Sequence, residues 1–349
     1  MDAVTHALLG ATAACATAPR DAHLARREWI SLGALAAAFP DIDFAGFPFD
    51  PLRFLAHWHQ GPTHSLVLLP LFALLIAATY VTLTRRPRAL AAATAVCALG
   101  IATHVASDLI TAYGTMLLYP FSDRRWALGI TYLLDPLFTA LVAISLVVAL
   151  ATRQRLGAWI GLGATGLYVA TQFGLQQHAL ELGRVSAAAQ GLPLTRLDAI
   201  AQPFSPFNWK LIASAGTTRH QAHVNLGGPV SVVPLPAALD AVAEAYDEPM
   251  RITWRRRDLY GRGARHRSLT ATLWNDPRFA DYRRFATHPA LARIDGETPE
   301  CVWFTDLRYD LPRLPETFRY GFCRAGGGEA WQLYRLRYFS NDARQRLAR

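Results

Sequence analysis

Four histidines and four aspartates stand in this chain where a strongly apolar sequence has little use for them: His6, Asp41, Asp43, His59, His64, His104, Asp108 and Asp135. Imidazole nitrogens mixed with carboxylate oxygens suit zinc, iron or manganese better than a soft metal. The nearest thiols, Cys15 and Cys97, lie in apolar runs. A catalytic zinc needs about three protein ligands and a water. These residues therefore suffice for one or two ions, with carboxylates left over to orient an imidazole or move a proton. His104 and Asp108 are spaced i, i+4 and share one helix face. His59 and His64 bracket Gly61-Pro62, and Asp41 and Asp43 follow Pro40. Each residue alone has a plainer explanation. His104 and Asp108 could form an intrahelical bond, Asp41 and Asp43 could cap a turn, and Asp135 before Pro136 could cap a helix. The number gathered in one apolar half is what argues for a site.

The elements that must position them are apolar. Of 349 residues, 52% are hydrophobic and 17% charged, with mean hydropathy +0.15. About 25% charged is usual for a soluble domain, so an ordinary soluble domain is disfavoured and disorder is excluded. Residues 1–177 hold 11 basic and 9 acidic side chains, while 178–349 hold 24 and 17. Stretches near 64–84, 89–112, 127–151 and 156–176 reach the ~20 apolar residues of a span, and those near 4–18 and 29–40 are shorter. The first residues lack the basic region of a secretory signal. Arg20, Arg26, Arg27, Arg85, Arg86, Arg88, Arg153 and Arg155 fall on one side of this series, and Arg53, Arg124 and Arg125 on the other. The positive-inside rule puts the larger group in the cytoplasm and residues 178–349 outside. All eight His and Asp residues then approach the outer leaflet, with His104 and Asp108 ~6–12 Å below it. Ionisable groups in spans are costly and usually functional. A transport pathway would carry polar groups through to the cytoplasmic side, where the spans are Ala, Leu and Val.

The motifs resemble one family. Met1-Asp2 with Thr5-His6 and Gly10, Pro40-Asp41-Ile42-Asp43, His59-Gln60-Gly61-Pro62-Thr63-His64-Ser65 and His104-Val105-Ala106-Ser107-Asp108 are similar to those of the YdjM-like, LexA-regulated inner-membrane family of metal-dependent hydrolases. Tyr113-Gly114-Thr115, Pro120 to Arg125, Asp135-Pro136, Ser205 to Trp209 and Asp306 to Tyr309 resemble its longer members. The resemblance is strong to about residue 140 and thin beyond. It implies a multi-pass bacterial membrane protein with a metal site similar to that of zinc-dependent phospholipases C. One departure stands out: the family has Arg directly after the first His of its H-R-x-x-T-H motif, and this chain has Gln60. If that Arg meets an anionic substrate, Arg53, Arg124 and Arg125 are the candidates to replace it. A guanidinium pair suits bidentate phosphate binding, although Arg124 and Arg125 could equally snorkel at the interface.

Beyond Gly191, Pro193, Pro203 and Pro206, strands are expected at 209–216, 219–226, 300–309, 317–324 and 330–339, and helices at 236–246 and 276–287. Without βαβ alternation this reads as an antiparallel α+β domain. Arg255, Arg256, Arg257, Arg262, Arg265 and Arg267 form a basic cluster, for which anionic lipid headgroups are better partners than nucleic acid. No phosphate loop or dinucleotide fingerprint occurs. His23, His178, His220, His223, His266 and His288 read as solvated histidines. In an antiparallel hairpin centred on residue 312, Cys301 faces Cys323. An oxidising outer compartment would join them, whereas a register slip of one residue would turn them to opposite faces and leave two reduced thiols.

The expected fold is an α-helical multi-pass membrane domain over 1–177, with four long spans and two short N-terminal helices. A linker over 178–208 and an α+β, mainly antiparallel, domain over 209–349 follow. The expected function is a metal-dependent hydrolase of a bacterial inner membrane, acting at the outer face on an anionic phosphoester or lipid-like substrate. Zinc is the first choice of metal, with manganese or iron behind it. His6, His64, His104 and Asp108 are the expected ligands. Asp41, Asp43 and His59 serve as second-metal ligands or acid/base groups, Asp135 orients an imidazole, and Arg124 and Arg125 meet the substrate. The competing class is a non-catalytic metal- or lipid-binding membrane protein whose C-terminal domain is an interaction module.

Overall fold

The computed structural model describes residues 1–19, 23–296, 300–324 and 329–347. Arg20 and the side chain of Arg265, both invoked above, lie outside the described residues. The chain forms two compact units: Met1–Phe49 with His57–Gly174, and Asp50–Ala56 with Leu175–Arg349.

The first unit is helical. Asp2 opens α1 (Ala3–Thr17) by accepting from the Val4 and Thr5 backbone N–H groups, a good N-cap. Helix α2 (Arg26–Ala38) runs on into a 3-10 helix, Phe39–Gly46. After the three-residue α3 (Pro51–Arg53), which belongs to the second unit, the chain forms α4 (Leu69–Thr84). Arg85, with φ 57°, ends α4, and Pro87 opens the turn before α5 (Leu90–Leu109). Next come α6 (Pro136–Ala151) and α7 (Arg155–Ala189). The core holds Ala14, Leu32, Ala36, Ala73, Ala77, Val96 and Ile101. Helices α1, α2 and α5 approach closely through glycine: a Cβ on Gly10 or on Gly100 would lie 2.5 Å from the Gly33 carbonyl oxygen. At one end of the unit Arg86 pairs with Glu28 at 2.8 Å, and Arg26 donates to the Ala149 carbonyl at 3.1 Å. The start of α2, the α4–α5 turn and the end of α6 therefore meet.

Four long spans are not found. Among the described residues, only Pro87–Leu109 is long and apolar enough to cross a membrane; α4 qualifies only together with the broken helical segment before it, and α1 and α6 are shorter apolar helices. The reasons are local. In the stretch 127–151, helix starts only where Asp135 caps and Pro136 enters the first turn. In 64–84, the 3-10 turn Pro62–His64 delays α4 to Leu69. Helix α7 is long, but Gly, Thr, Gln and His interrupt its apolar run.

The second unit carries two antiparallel sheets. The first has order β1-β2-β3-β4 (Arg196–Ala201, Asn208–Ala215, Thr218–Asn225, Arg255–Asp258), and the second runs β5 to β9 in sequence (Pro289–Asp295, Cys301–Asp306, Tyr320–Cys323, Gln332–Leu336, Arg344–Arg346). Helices α8 (Ala237–Ala243), α9 (Ala264–Asn275) and α10 (Ala280–Phe285) complete it. Every strand expected from the sequence is present, and the α+β reading holds. The stretch 178–208, expected as a linker, carries the end of α7 and strand β1. Trp209, Leu211, Ala222 and Val224 pack there with Ala179. Three arginines of the basic cluster are paired: Arg256 and Arg262 with Asp258, and Arg257 with Glu316.

Strands β6 and β7 pair Cys301 with Cys323, and a disulfide joins them. Alkylating unreduced protein from its native membrane should therefore leave this pair unmodified while Cys15 and Cys97, the free cysteines, take the label after unfolding. Mass spectrometry showing alkylated Cys301 and Cys323 would remove the bridge.

Candidate metal centre

At the other end of the first unit, four chain segments bring their polar groups together. His6 comes from the first turns of α1, and Asp41 and Asp43 from the 3-10 helix after α2. His64 lies in the turn before α4, and His104 and Asp108 on the last turns of α5. His6, His64, His104 and Asp108 are all buried.

Three imidazoles turn the same nitrogen toward Asp108. His6 Nε2 is 3.2 Å from Asp108 Oδ1; His64 Nε2 and His104 Nε2 are each 3.3 Å from Oδ2 and 3.0 Å from each other. Their other nitrogens are held from behind. His104 Nδ1 lies 2.6 Å from the Ala37 carbonyl, which can only accept, so Nδ1 carries the proton and Nε2 the lone pair of the neutral ring. Ser107 Oγ donates to the His104 carbonyl and so accepts from His6 Nδ1 at 3.0 Å. His64 Nδ1 meets Thr63 Oγ1 at 3.0 Å.

The consequence is a set of buried lone pairs aimed at one another. His6 Nε2 is buried with no hydrogen-bond partner, and it faces a carboxylate oxygen. Such groups are costly without compensation, which a bound cation would supply. A tetrahedral ion with bonds of about 2.0–2.1 Å separates its ligand atoms by about 3.3 Å; the distances above agree. The donor set and its spacing fit a divalent metal. His6, His104 and Asp108 form one candidate group, and Asp41, His64 and His104 a second that shares His104. Asp41 Oδ1 stands back, 3.9 Å from His64 Nε2 and 3.8 Å from His104 Nε2, and is the more open carboxylate. The Met1 ammonium also contacts Asp108 Oδ1.

Beside this set, His59 Nδ1 lies 3.3 Å from Asp43 Oδ1, and Asp43 Oδ2 lies 3.8 Å from His64 Nδ1. The rings of Phe44 and Tyr113 meet His59 edge-on at 4.4 and 4.7 Å. This His–Asp pair adjoins the candidate ligands.

Gln60, the departure from the family motif, is tied in at every polar group. Its amide Nε2 donates to Asp108 Oδ2 at 2.8 Å, and Thr115 Oγ1 donates to its Oε1 at 3.1 Å. Its backbone N–H reaches Asp43 Oδ2, and its carbonyl accepts from the Met116 N–H. Its left-handed backbone, φ 52°, makes this possible. Outer partners of ligands usually matter 10–100-fold in metal affinity. Gln60→Leu should accordingly weaken metal retention by about tenfold or more in chelator competition; unchanged retention would show the amide to be incidental.

The remaining expected residues are placed differently. Asp135 accepts from the Leu137 and Phe138 N–H groups and from the Tyr168 hydroxyl at 2.7 Å. These bonds make it a helix cap rather than the orienter of an imidazole. Arg125 donates to the His59 and Gly114 carbonyls at 3.0 and 2.8 Å, so its guanidinium holds the loop bearing His59. Arg124 is exposed and lies over the Trp126 ring at 4.1 Å. In the second unit His220, His223 and His288 are buried, not solvated. Burial pushes the His288 imidazole down to about 4, and none of the three joins a candidate metal group among the described residues.

Thr63, Ser107 and the Ala37 carbonyl have no role assigned from sequence, and Gln60 stands out there only as a departure from a motif. Adjacency could have suggested Thr63 and Ser107; nothing local marks Ala37.

A family model described as YdjM inner membrane protein matches residues 1–179, slightly more than half of the chain and all of the candidate centre. No curated protein and no solved structure matches.

Proposed function

The chain belongs to the YdjM inner membrane protein family, and from that premise we propose that it is a membrane-bound, metal-dependent hydrolase. The observation that carries this reading is the convergence of three Nε2 atoms on Asp108, each ring held from behind. His6, His64, His104 and Asp108 hold the metal, zinc first, with manganese or iron next. When bound, such an ion brings a coordinated water toward a pKa near 7 and polarises the scissile bond. Asp41, set back and more open, receives a second ion or the substrate's side of the site. His59, with Asp43 behind it, takes and returns the proton. Phe44 and Tyr113 keep His59 in place, and Arg125 fixes its backbone. The substrate is an anionic phosphoester or lipid-like molecule.

The site belongs at the outer face of the inner membrane. The arginine pattern supports this, and so does a disulfide in the second unit, which needs an oxidising compartment. Reporter fusions after residues 86 and 177 test it: the first should read cytoplasmic and the second extracytoplasmic, and matching locations would overturn the placement.

The activity is tested with full-length protein in detergent, stripped by chelator and reloaded with zinc or manganese. Hydrolysis of a chromogenic phosphodiester or monoester should vanish on stripping and return on reloading. Metal retained with no turnover on phosphoesters or carboxylic esters would favour the non-catalytic reading.

A further inference from the structure

The 3-10 helix Phe39–Gly46 has two faces. Asp41 and Asp43 turn inward, to the imidazoles, while Ile42 and Phe44 are exposed. The same division recurs around the site. Trp58, next to His59, is exposed; Phe49 is 90% and Phe121 83% exposed. Trp126, also exposed, is bridged to Thr115, whose hydroxyl holds Gln60. Arg124 lies over that indole. The segments that carry the site thus bear outward aromatic and branched side chains with an arginine among them. In water such a rim is an unexplained apolar patch. In a protein of an inner-membrane family it has the composition of an interfacial belt, where Trp and Arg sit at headgroup level. All of these residues lie in the first unit.

We propose that this rim is seated in the bilayer interface, so that the centre takes its substrate sideways from the membrane, and that the substrate class is a lipid with an anionic headgroup. This rests on the reading of the centre as a substrate site, but the rim can be tested without turnover. Ile42, Phe49 and Phe121 meet acyl chains. Arg124, backed by Trp126, meets the headgroup; Arg125, engaged with the His59 and Gly114 carbonyls, holds the loop.

The experiment uses full-length protein in phosphatidylcholine vesicles containing a photoactivatable phosphatidylglycerol or, in parallel, a photoactivatable phosphatidylcholine. Crosslinked peptides are mapped by mass spectrometry, and a water-soluble carbene reagent serves as the counter-probe. Residues 41–49 and 118–128 should take label from lipid, with phosphatidylglycerol ahead of phosphatidylcholine. Labelling of α4 serves as the internal standard. One arginine near an anionic surface contributes about 1 kcal/mol, so Arg124→Ala should cut the phosphatidylglycerol advantage by about fivefold and leave phosphatidylcholine labelling unchanged. Reaction of both segments with the aqueous reagent alone would overturn the proposal. Equal labelling by the two lipids in both proteins would overturn its anionic headgroup. If the rim labels as expected and no ester is ever hydrolysed, the hydrolase reading fails and the rim stands.

Discussion

Full-length protein carrying His104→Ala is expected to bind its divalent metal at least about a hundredfold more weakly than the unchanged chain, and His64→Ala should match it. The magnitude follows from position. Outer partners alone are worth 10–100-fold, and these two imidazoles present their Nε2 atoms 3.0 Å apart at the centre itself. His104 is common to both candidate ligand groups, so its loss should empty both. His178→Ala, on an exposed face of α7, should leave metal content unchanged. Elemental analysis after mild chelation decides the matter. Full occupancy in the His104 variant would withdraw the ligand assignment. Metal retained with hydrolysis lost would move His104 to proton transfer.

Gly100→Leu should damage the centre almost as severely without touching a ligand. Any Cβ at this position would lie 2.5 Å from the Gly33 carbonyl and 3.0 Å from Ala36 Cβ. Backbone cannot yield as a side chain can, so α2 and α5 must separate. The geometry of the site depends on that approach. Gly100 lies one helical turn before His104, and Gly33 one turn before Ala37, whose carbonyl orients the His104 ring. Gly10, one turn after His6, meets the same Gly33 carbonyl. Overpacking costs about 1–3 kcal/mol or more. A lower unfolding midpoint is expected together with metal loss. Gly163→Ala, with open space around its position, should change neither. If Gly100→Leu keeps both its midpoint and its metal, the close packing of helices does not position the centre.

The candidate ligands were legible because polar groups are conspicuous in apolar sequence, and because i, i+4 spacing places His104 and Asp108 on one face without knowledge of the fold. The pairing of Cys301 with Cys323 was legible for a similar reason: antiparallel register is arithmetic once the turn is located. Span lengths were not. Hydropathy extends through Leu128 and Ile130, yet α6 begins only at Pro136, because the preceding backbone is spent on bonds such as Leu128 N–H to the Leu109 carbonyl. The role of Asp135 followed the plainer of its two readings, since a carboxylate directly before Pro at a helix start is a cap by construction. Strand β4, Arg255–Asp258, has no apolar alternation to announce it and exists through pairing with β3 and its ion pairs. Gln60 was visible only as a departure from a motif; its bond to Asp108 spans 48 residues of sequence, beyond any local pattern.

The proposed function stands on a metal held by imidazole and carboxylate in this cluster. The most direct test is metal-edge X-ray absorption on full-length protein purified in detergent without added metal. The expected result is a divalent ion with a nitrogen and oxygen shell at about 2.0–2.1 Å and multiple-scattering features of imidazole. A shell containing sulfur at about 2.3 Å, or protein that carries no stoichiometric metal and takes none up on exposure to zinc or manganese, would contradict it.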